Sequence, residues 1–340
     1  MDKLRKILIT SILSLTILSS CDDSPINDSS SDGTTLPTSD TNQSTNTETS
    51  ITDSTSSSTS NSTTSTDTGV TSGSSTSTSV EEGEVDKPIF DSNTKTIKFG
   101  YYPQKVVDDE NLIASLNNIC SNDNSWINYE GKNYTKMVAN VVNGEKNYNF
   151  SNNKIINSGE EYWFSCDVIS WKVLSINNKE YYAITENILD CSYFYDSYEV
   201  RNINGKEINP NNYENSKIRS YLNNEIFSLA FSNNSSYFIS DSLNDKISLP
   251  SKDNLINKDF GFDNDSSTKS NTRCAKASDF ALAKGTWKSK DNSNSTYWTK
   301  SASEDYNYAA IVSNSSGYLS SYSVTTSSHG IRLVATIKID

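Results

Sequence analysis

The sequence is poor in the residues that carry most catalytic and metal chemistry. It has one histidine, His329, and five cysteines in 340 residues. A histidine-based triad needs that residue beside a nucleophile and an acid, whereas His329 stands in a Ser-Ser-His-Gly segment typical of a turn. A zinc site needs three or four ligands at workable spacing, and no two cysteines are spaced as a metal clip. We therefore predict no catalytic residue, no metal site and no cofactor.

Basic and aromatic residues are missing from the first quarter of the chain. No lysine or arginine occurs between Lys6 and Lys87, and no aromatic residue precedes Phe90. Of the 59 residues from 22 to 80, 36 are serine or threonine. Such a segment cannot bury enough apolar surface to offset the entropy of ordering. We predict that residues 21–89 form a disordered acidic tether and that residues 90–340 form a single globular domain.

Most of the net charge of −13 belongs to this tether, because residues 22–86 contain twelve acidic residues and no basic one. The remainder of the chain after residue 86 is therefore close to neutral. It has no basic stripe, so the sequence does not favour a nucleic-acid partner.

The first twenty-one residues predict export. Basic residues near the start precede an apolar run over 7–18, which is too short for a membrane span of roughly 20 residues. The run ends in Leu18-Ser19-Ser20-Cys21, which resembles the lipobox of bacterial lipoproteins. The resemblance implies a signal peptide over 1–20, lipidation of Cys21 and a cell-membrane location on the extracellular face. An ordinary secretory signal with an incidental cysteine is the alternative.

Periodicity and capping residues predict an α+β domain with an irregular, largely antiparallel sheet and short flanking helices. Helices are predicted over 108–119, from Asn215 or Ser216 through Leu229, from Ser251 to Leu255, and over 280–284 before Gly285. Strands are predicted over 96–102, 162–164, 169–176, 180–185, 297–300, 308–313, 318–324 and 331–339. A two-residue turn at Asn177 and Asn178 joins two of these strands. Loops are predicted over 121–133, 143–160, 201–216, 259–272 and 288–296.

A series of short motifs resembles, in order, a bacterial domain family of unknown function found in secreted and lipid-anchored proteins. The motifs are FGYYPQ at 99–104, LIASLN at 112–117, YWF at 162–164, ISWKVL at 169–174, ILDC at 188–191, SKIRSYLN at 216–223, DKISLPS at 245–251, ASDFA at 277–281, YWTKS at 297–301 and GIRL at 330–333. Each motif alone is weak, and the ordered series carries the resemblance.

The serine- and aromatic-rich ending before GIRL is similar to the formylglycine-generating, C-type-lectin-like superfamily. This implies a C-type-lectin-like architecture that binds ligands through loops. The cysteine pair of the sulfatase-modifying enzymes is missing near the C-terminus, and so are the Glu-Pro-Asn and Trp-Asn-Asp motifs of calcium-dependent lectins. Neither activity is therefore carried over.

The sequence allows two interpretations for each of two groups of side chains, four cysteines and three aspartates. Cys120, Cys166, Cys191 and Cys274 can form disulfides, which an exterior location permits, or remain buried thiols. Asp259, Asp263 and Asp265 can bind calcium, although their spacing is not that of an EF-hand; a solvated loop is the alternative.

The tyrosine-, serine- and asparagine-rich segments 193–198 and 317–328 have the composition of recognition loops. We predict Tyr195, Tyr318 and Tyr322 as ligand-binding residues, and core packing for most of Tyr162, Trp163, Trp171, Trp298 and Tyr308. The expected function is a lipid-anchored, non-catalytic binding or adhesion domain for a glycan, cell-wall or host-surface ligand. An extracellular hydrolase with an unrecognised carboxylate site and an envelope scaffold are the alternatives.

Overall fold

A computed structural model of the protein describes residues 87–119, 126–142 and 148–340. The predicted signal peptide, Cys21, nearly all of the tether, and Cys120 lie outside these residues. Within them, no helix is long and apolar enough to cross a membrane.

The larger sheet has eight strands, all paired antiparallel. Its strands are β1 (Ile89–Asp91), β2 (Thr96–Val106), β3 (Trp126–Tyr129), β4 (Lys132–Val138), β5 (Glu161–Asn177), β6 (Glu180–Thr185), β10 (Phe238–Ile239) and β15 (Val334–Lys338). They run in the order β1-β2-β5-β6-β15-β10, and β3 and β4 extend the sheet beside β5.

The smaller sheets are formed mainly by the C-terminal part of the chain. Five strands, β7 (Asp190–Cys191), β11 (Tyr297–Ala302), β12 (Ala309–Ser313), β13 (Leu319–Ser323) and β14 (Gly330–Ile331), are ordered β13-β12-β11-β14-β7. Only the pair β11 and β14 is parallel among the strand pairs of the described chain. Two short strands, β8 (Arg201–Ile203) and β9 (Lys206–Ile208), form a separate hairpin.

The helices are short and begin at the residues that the sequence provides as caps. They are α1 (Glu110–Ile119), α2 (Lys217–Tyr221), α3 (Phe227–Phe231), α4 (Lys252–Leu255) and α5 (Asp279–Lys284). Ser216, Ser251 and Ser278 each accept a backbone hydrogen bond as the N-cap of a helix. Gly285 ends α5 with a left-handed φ of 117°. The fold mixes strands and short helices, and its strands are mostly antiparallel, which confirms the prediction of a largely antiparallel sheet with short helices.

One large hydrophobic cluster contacts both major sheets. It contains Phe99 and Trp171 from the larger sheet, Trp298 and Val312 from the five-stranded sheet, and the inner face of the helix at Ile218. Trp171 is fully buried, and its indole N–H donates to the carbonyl of Phe99 over 2.9 Å. Core packing is confirmed for Tyr162, Trp163, Trp171 and Trp298, whereas Tyr308 is 42% exposed.

Several predicted boundaries are wrong for local reasons. The two strands predicted over 162–176 form one strand, β5, with irregular pairing. The turn before β6 falls one residue later than predicted, at Asn178 and Lys179, where Asn178 has φ 57°. Part of the predicted loop 121–133 belongs to the β3–β4 hairpin. Likewise, part of the predicted loop 201–216 forms the β8–β9 hairpin, whose two strands are joined by a turn at Asn204 and Gly205.

The helix predicted through Leu229 is not a regular α-helix, because α2 continues through a π-helical turn over Leu222–Ile226 into α3. The wider turn shifts the phase of the helix. In a regular α-helix Leu229 would share a face with Leu222 and Ile226; instead it is 48% exposed, whereas Ala230 and Phe231 are buried.

The strand predicted over 331–339 is interrupted at Arg332 and Leu333. Residues before the break pair in the five-stranded sheet and those after it pair in the larger one. Arg332 is buried and donates to the carbonyl of Thr185, while the Leu333 amide donates to the hydroxyl of Thr185. The Gly-Ile-Arg segment therefore passes the chain from one sheet to the other.

Candidate ligand-binding surface

Residues of three sequence motifs and Lys284 meet at one buried carboxylate, that of Asp190. Its oxygens accept hydrogen bonds from the hydroxyls of Tyr102 at 2.5 Å and Tyr221 at 2.6 Å, and from its neighbour's amide, Cys191 N, at 2.6 Å. The amino group of Lys284 forms an ion pair with it at 2.6 Å. These contacts join β2, β7, α2 and α5.

The electrostatics of this cluster fit a structural role. Burial, followed by the charge of Asp190, raises the pKa of Tyr102 well above its ordinary value. Burial disfavours the charged form of Lys284, but Asp190 and Tyr221 outweigh it and raise its pKa. Asp190 is wholly buried and already has four donors, so it has no free face for a substrate. We therefore assign this cluster to the stability of the fold.

Two arginines, Arg219 and Arg273, also stabilise the fold by joining different segments of the chain. Arg219 forms a two-pronged ion pair with Asp245, with hydrogen bonds of 2.6 and 2.9 Å. Arg273 is fully buried, and its guanidinium donates to the carbonyls of Asp263, Asp265, Thr268 and Gly317. These contacts hold together segments that lie apart in the sequence.

The candidate calcium loop is organised by Arg273. The carboxylate of Asp263 accepts from the hydroxyl of Ser270, and that of Asp265 accepts from Ser267. No group of three or more histidine, cysteine or acidic side chains placed to hold a metal occurs in the described part of the chain.

The thiols of Cys166, Cys191 and Cys274 are free, so no disulfide joins any two of them. Burial, the largest cause, raises the pKa of all three thiols, that of Cys191 to about 12. Because the thiolate is the reactive form, these three cysteines are poor nucleophiles.

The three tyrosines predicted to bind ligand do not form one surface. Tyr195 is not an exposed residue, because its side chain is buried beneath the guanidinium of Arg201, 3.9 Å from its ring centre. Tyr318 and Tyr322 are 37% and 39% exposed, but Tyr318 lies just before β13 and Tyr322 packs on His329.

A different set of tyrosines, Tyr198, Tyr306 and Tyr308, forms a contiguous exposed cluster that we call the tyrosine surface. The ring centres of Tyr198 and Tyr308 are 6.0 Å apart in an edge-to-face arrangement, and those of Tyr306 and Tyr308 are 5.6 Å apart. The three side chains are 58%, 51% and 42% exposed, respectively. Large aromatic side chains so exposed and so close together are a candidate contact surface.

Hydrogen bonds from neighbouring strand and loop residues hold the tyrosine surface in place. The phenol oxygen of Tyr198 accepts from the hydroxyls of Ser323 at 3.1 Å and Thr325 at 2.6 Å, and these bonds lower its pKa. The buried amide group of Asn211 donates to the carbonyls of Tyr306 and Ala309, both at 3.0 Å. The loop that carries Tyr306 and Tyr308 is therefore fixed at both ends.

Sequence reasoning identified only part of this surface. Tyr198 belongs to the predicted recognition segment 193–198, whereas the sequence pattern places Tyr308 in a strand and gives no sign of a role for Tyr306. The available signal was the Glu-Asp-Tyr-Asn-Tyr stretch at 304–308, which places two tyrosines among polar residues of a hairpin loop. Their proximity to Tyr198 depends on a pairing between distant segments.

Comparison with known proteins adds no relative: no family model, curated protein or solved structure matches the chain.

Proposed function

We propose that the protein is a lipid-anchored, non-catalytic recognition module that binds glycan chains through the tyrosine surface. In this proposal residues 1–20 direct export, lipidated Cys21 holds the chain on the extracellular face of the cell membrane, and the acidic tether presents the domain. The observation that carries the binding role is the contact among the exposed rings of Tyr198, Tyr306 and Tyr308.

The physical properties of these side chains suit recognition. A tyrosine combines an apolar ring with a hydroxyl that hydrogen-bonds, and it has few rotatable bonds to immobilise. Aromatic side chains also dominate the energy of many binding surfaces. Since Asn211, Ser323 and Thr325 already fix this surface, little ordering entropy is lost when a ligand binds.

The neighbouring charges favour an uncharged ligand. Glu199 and Asp305 are exposed beside the tyrosines in the sequence, and Glu304 pairs with Lys252 at 3.7 Å, so the negative charge left there would repel a polyanion. A neutral sugar chain offers apolar ring faces for the tyrosines and hydroxyls for the phenols. The bacterial cell wall and a host surface both supply such chains, and a binding screen that contains glycans of both kinds distinguishes the two sources.

The test is a glycan screen with purified full-length protein, followed by affinity measurements on Tyr198→Ala with Tyr308→Ala. We expect the double variant to bind at least about tenfold more weakly, because two ring contacts are lost. Tyr318→Ala is the matched control, since it removes a similarly exposed tyrosine outside the tyrosine surface. Equal losses in both proteins would contradict the proposal. Turnover of a polysaccharide or peptide would favour a hydrolase, and binding to an envelope protein alone would favour a scaffold.

We also propose a distant relationship to the C-type-lectin-like superfamily. The Gly330–Ile331 strand followed by Arg332 supports it, because this segment resembles the superfamily's ending and joins the two sheets. An experimentally determined structure of this domain whose strand order differs from that of C-type-lectin-like proteins would contradict the proposed relationship.

A further inference from the structure

A cleft of about 600 Å³ opens on the domain outside the tyrosine surface. Its walls come from residues 148–153, from residues 276–282 at the beginning of α5, and from the turn at 288–293. This volume lies within the range of roughly 300–1,000 Å³ that is typical of small-molecule sites.

The charges around the cleft are predominantly positive. Lys276, Lys288 and Lys290 line it, together with one carboxylate, that of Asp279. Both oxygens of Asp279 are engaged: one accepts from the Ser151 amide at 2.7 Å, and the other accepts from the Ser151 hydroxyl at 2.8 Å and the Val106 amide at 3.1 Å. The carboxylate is thus used to fix the wall of the cleft.

Lys288 hydrogen-bonds across the cleft to residues of the opposite wall, and its amino group keeps its positive charge. Its amide donates to the Tyr148 hydroxyl at 3.0 Å, and its amino group donates to the carbonyl of Asn149 at 2.8 Å. Among the described residues, no carboxylate lies within ion-pair distance of the amino groups of Lys276 or Lys288. Burial lowers the pKa of Lys288, and nearby Asp279 acts in the opposite direction.

The remaining lining is neutral and suits a sugar. Tyr148 and Phe150 are packed at its base, while Asn153, Ser289 and Ser293 supply polar groups. Positive charge in a cleft on a nearly neutral domain selects anions, because low-dielectric walls strengthen the local field. Lysine binds phosphate and carboxylate groups as a point charge.

We propose that this cleft binds a sugar-sized ligand that carries a phosphate or a carboxylate group. The charged group is held between Lys276 and Lys288, and the polar side chains contact the hydroxyls of the sugar. The proposal is independent of the tyrosine surface, which takes uncharged units.

Isothermal titration of the full-length protein in detergent tests the proposal with glucose 6-phosphate, glucuronate and glucose as probes. We expect saturable binding of at least one anionic probe and none of glucose. Binding of the phosphate alone identifies a phosphate-ester site, and binding of glucuronate alone identifies a carboxylate site. Affinity should fall with added salt, because ions screen partly exposed charges.

Variants locate the binding. Lys276→Gln with Lys288→Gln should weaken the anion's affinity by on the order of tenfold or more. The matched control is Lys98→Gln with Lys338→Gln, which removes two exposed lysines elsewhere and should leave affinity unchanged. Should the first double variant fail to fold, Lys276→Gln alone still removes one exposed ammonium group and should weaken binding several-fold.

Three results would overturn the proposal: no saturable binding of either anion, equal binding of glucose, or equal weakening by the control variant. Tyr198→Ala with Tyr308→Ala should leave the affinity for the anionic probes unchanged. A failure of this site is therefore distinguishable from a failure of the tyrosine surface.

Discussion

His329 should make the stability of the domain depend on pH between about 7 and 5. Its ring is 3% exposed and lies between Trp298 and Tyr322, with both ring centres 4.6 Å away. Its Nδ1 atom is 2.8 Å from the hydroxyl of Thr296, and its Nε2 atom has no hydrogen-bond partner among the described residues. Burial lowers its pKa from 6.5 to about 3.

The sign follows from comparing the folded and unfolded chains. Below pH 6.5 the unfolded chain takes up a proton on His329, whereas the folded chain stays neutral until the pH approaches 3. The unfolded state therefore gains stability as the pH falls, and the free energy of unfolding decreases. Linkage with these two pKa values gives a loss of about 2 kcal/mol between pH 7 and pH 5.

The assay is denaturant unfolding at pH 7 and pH 5, followed by tryptophan fluorescence, on the parent and on His329→Gln. Glutamine does not titrate, so the variant should lose about 2 kcal/mol less than the parent over this interval. The carboxylates titrate in both proteins and cancel in the comparison, and the chain has no other histidine. The same pH-dependent loss in both proteins would refute a buried, neutral His329.

Two further predictions concern the core and the anchor. Trp171→Ala should reduce the free energy of unfolding by roughly 3–5 kcal/mol, because it empties a fully buried site. The control Leu229→Ala, at an exposed position, should change it by less than about 0.5 kcal/mol. Similar losses for the two variants in denaturant unfolding would contradict this account of the core. Cys21→Ser should move the protein from the detergent phase to the aqueous phase or leave the precursor uncleaved, because the lipid attachment is lost; a variant that still partitions into detergent would refute lipidation.

Local features of the fold were predictable because they depend on a few neighbouring residues. Ser251 caps α4 through Asn254, three residues later, and Ser278 and Gly285 delimit α5. These signals combine side-chain chemistry with short spacing. The interruption after Ile331 depends on pairing with strands distant in the sequence, so periodicity alone does not reveal it. The π-helical turn at Leu222–Ile226 breaks the regular helical spacing on which the prediction rests.

The candidate sites were less predictable, since both are assembled from distant segments. Tyr195 and Tyr198 stand three residues apart in a segment of uniform composition, yet one is buried under Arg201 and the other is exposed beside Tyr308. Composition identifies a recognition loop but does not say which of its side chains face outward. The cleft likewise requires Lys276 and Lys288 to meet residues 148–153, which no local pattern indicates.

The central claim is that the tyrosine surface binds glycan chains. Its most direct test compares, on one screen of uncharged bacterial and host glycans, the parent, Tyr198→Ala with Tyr308→Ala, and Tyr318→Ala. We predict that the parent and Tyr318→Ala bind the same glycans with similar affinity and that the double variant loses them while remaining folded. Equal glycan binding by all three proteins, or no glycan binding by the parent, would contradict the claim.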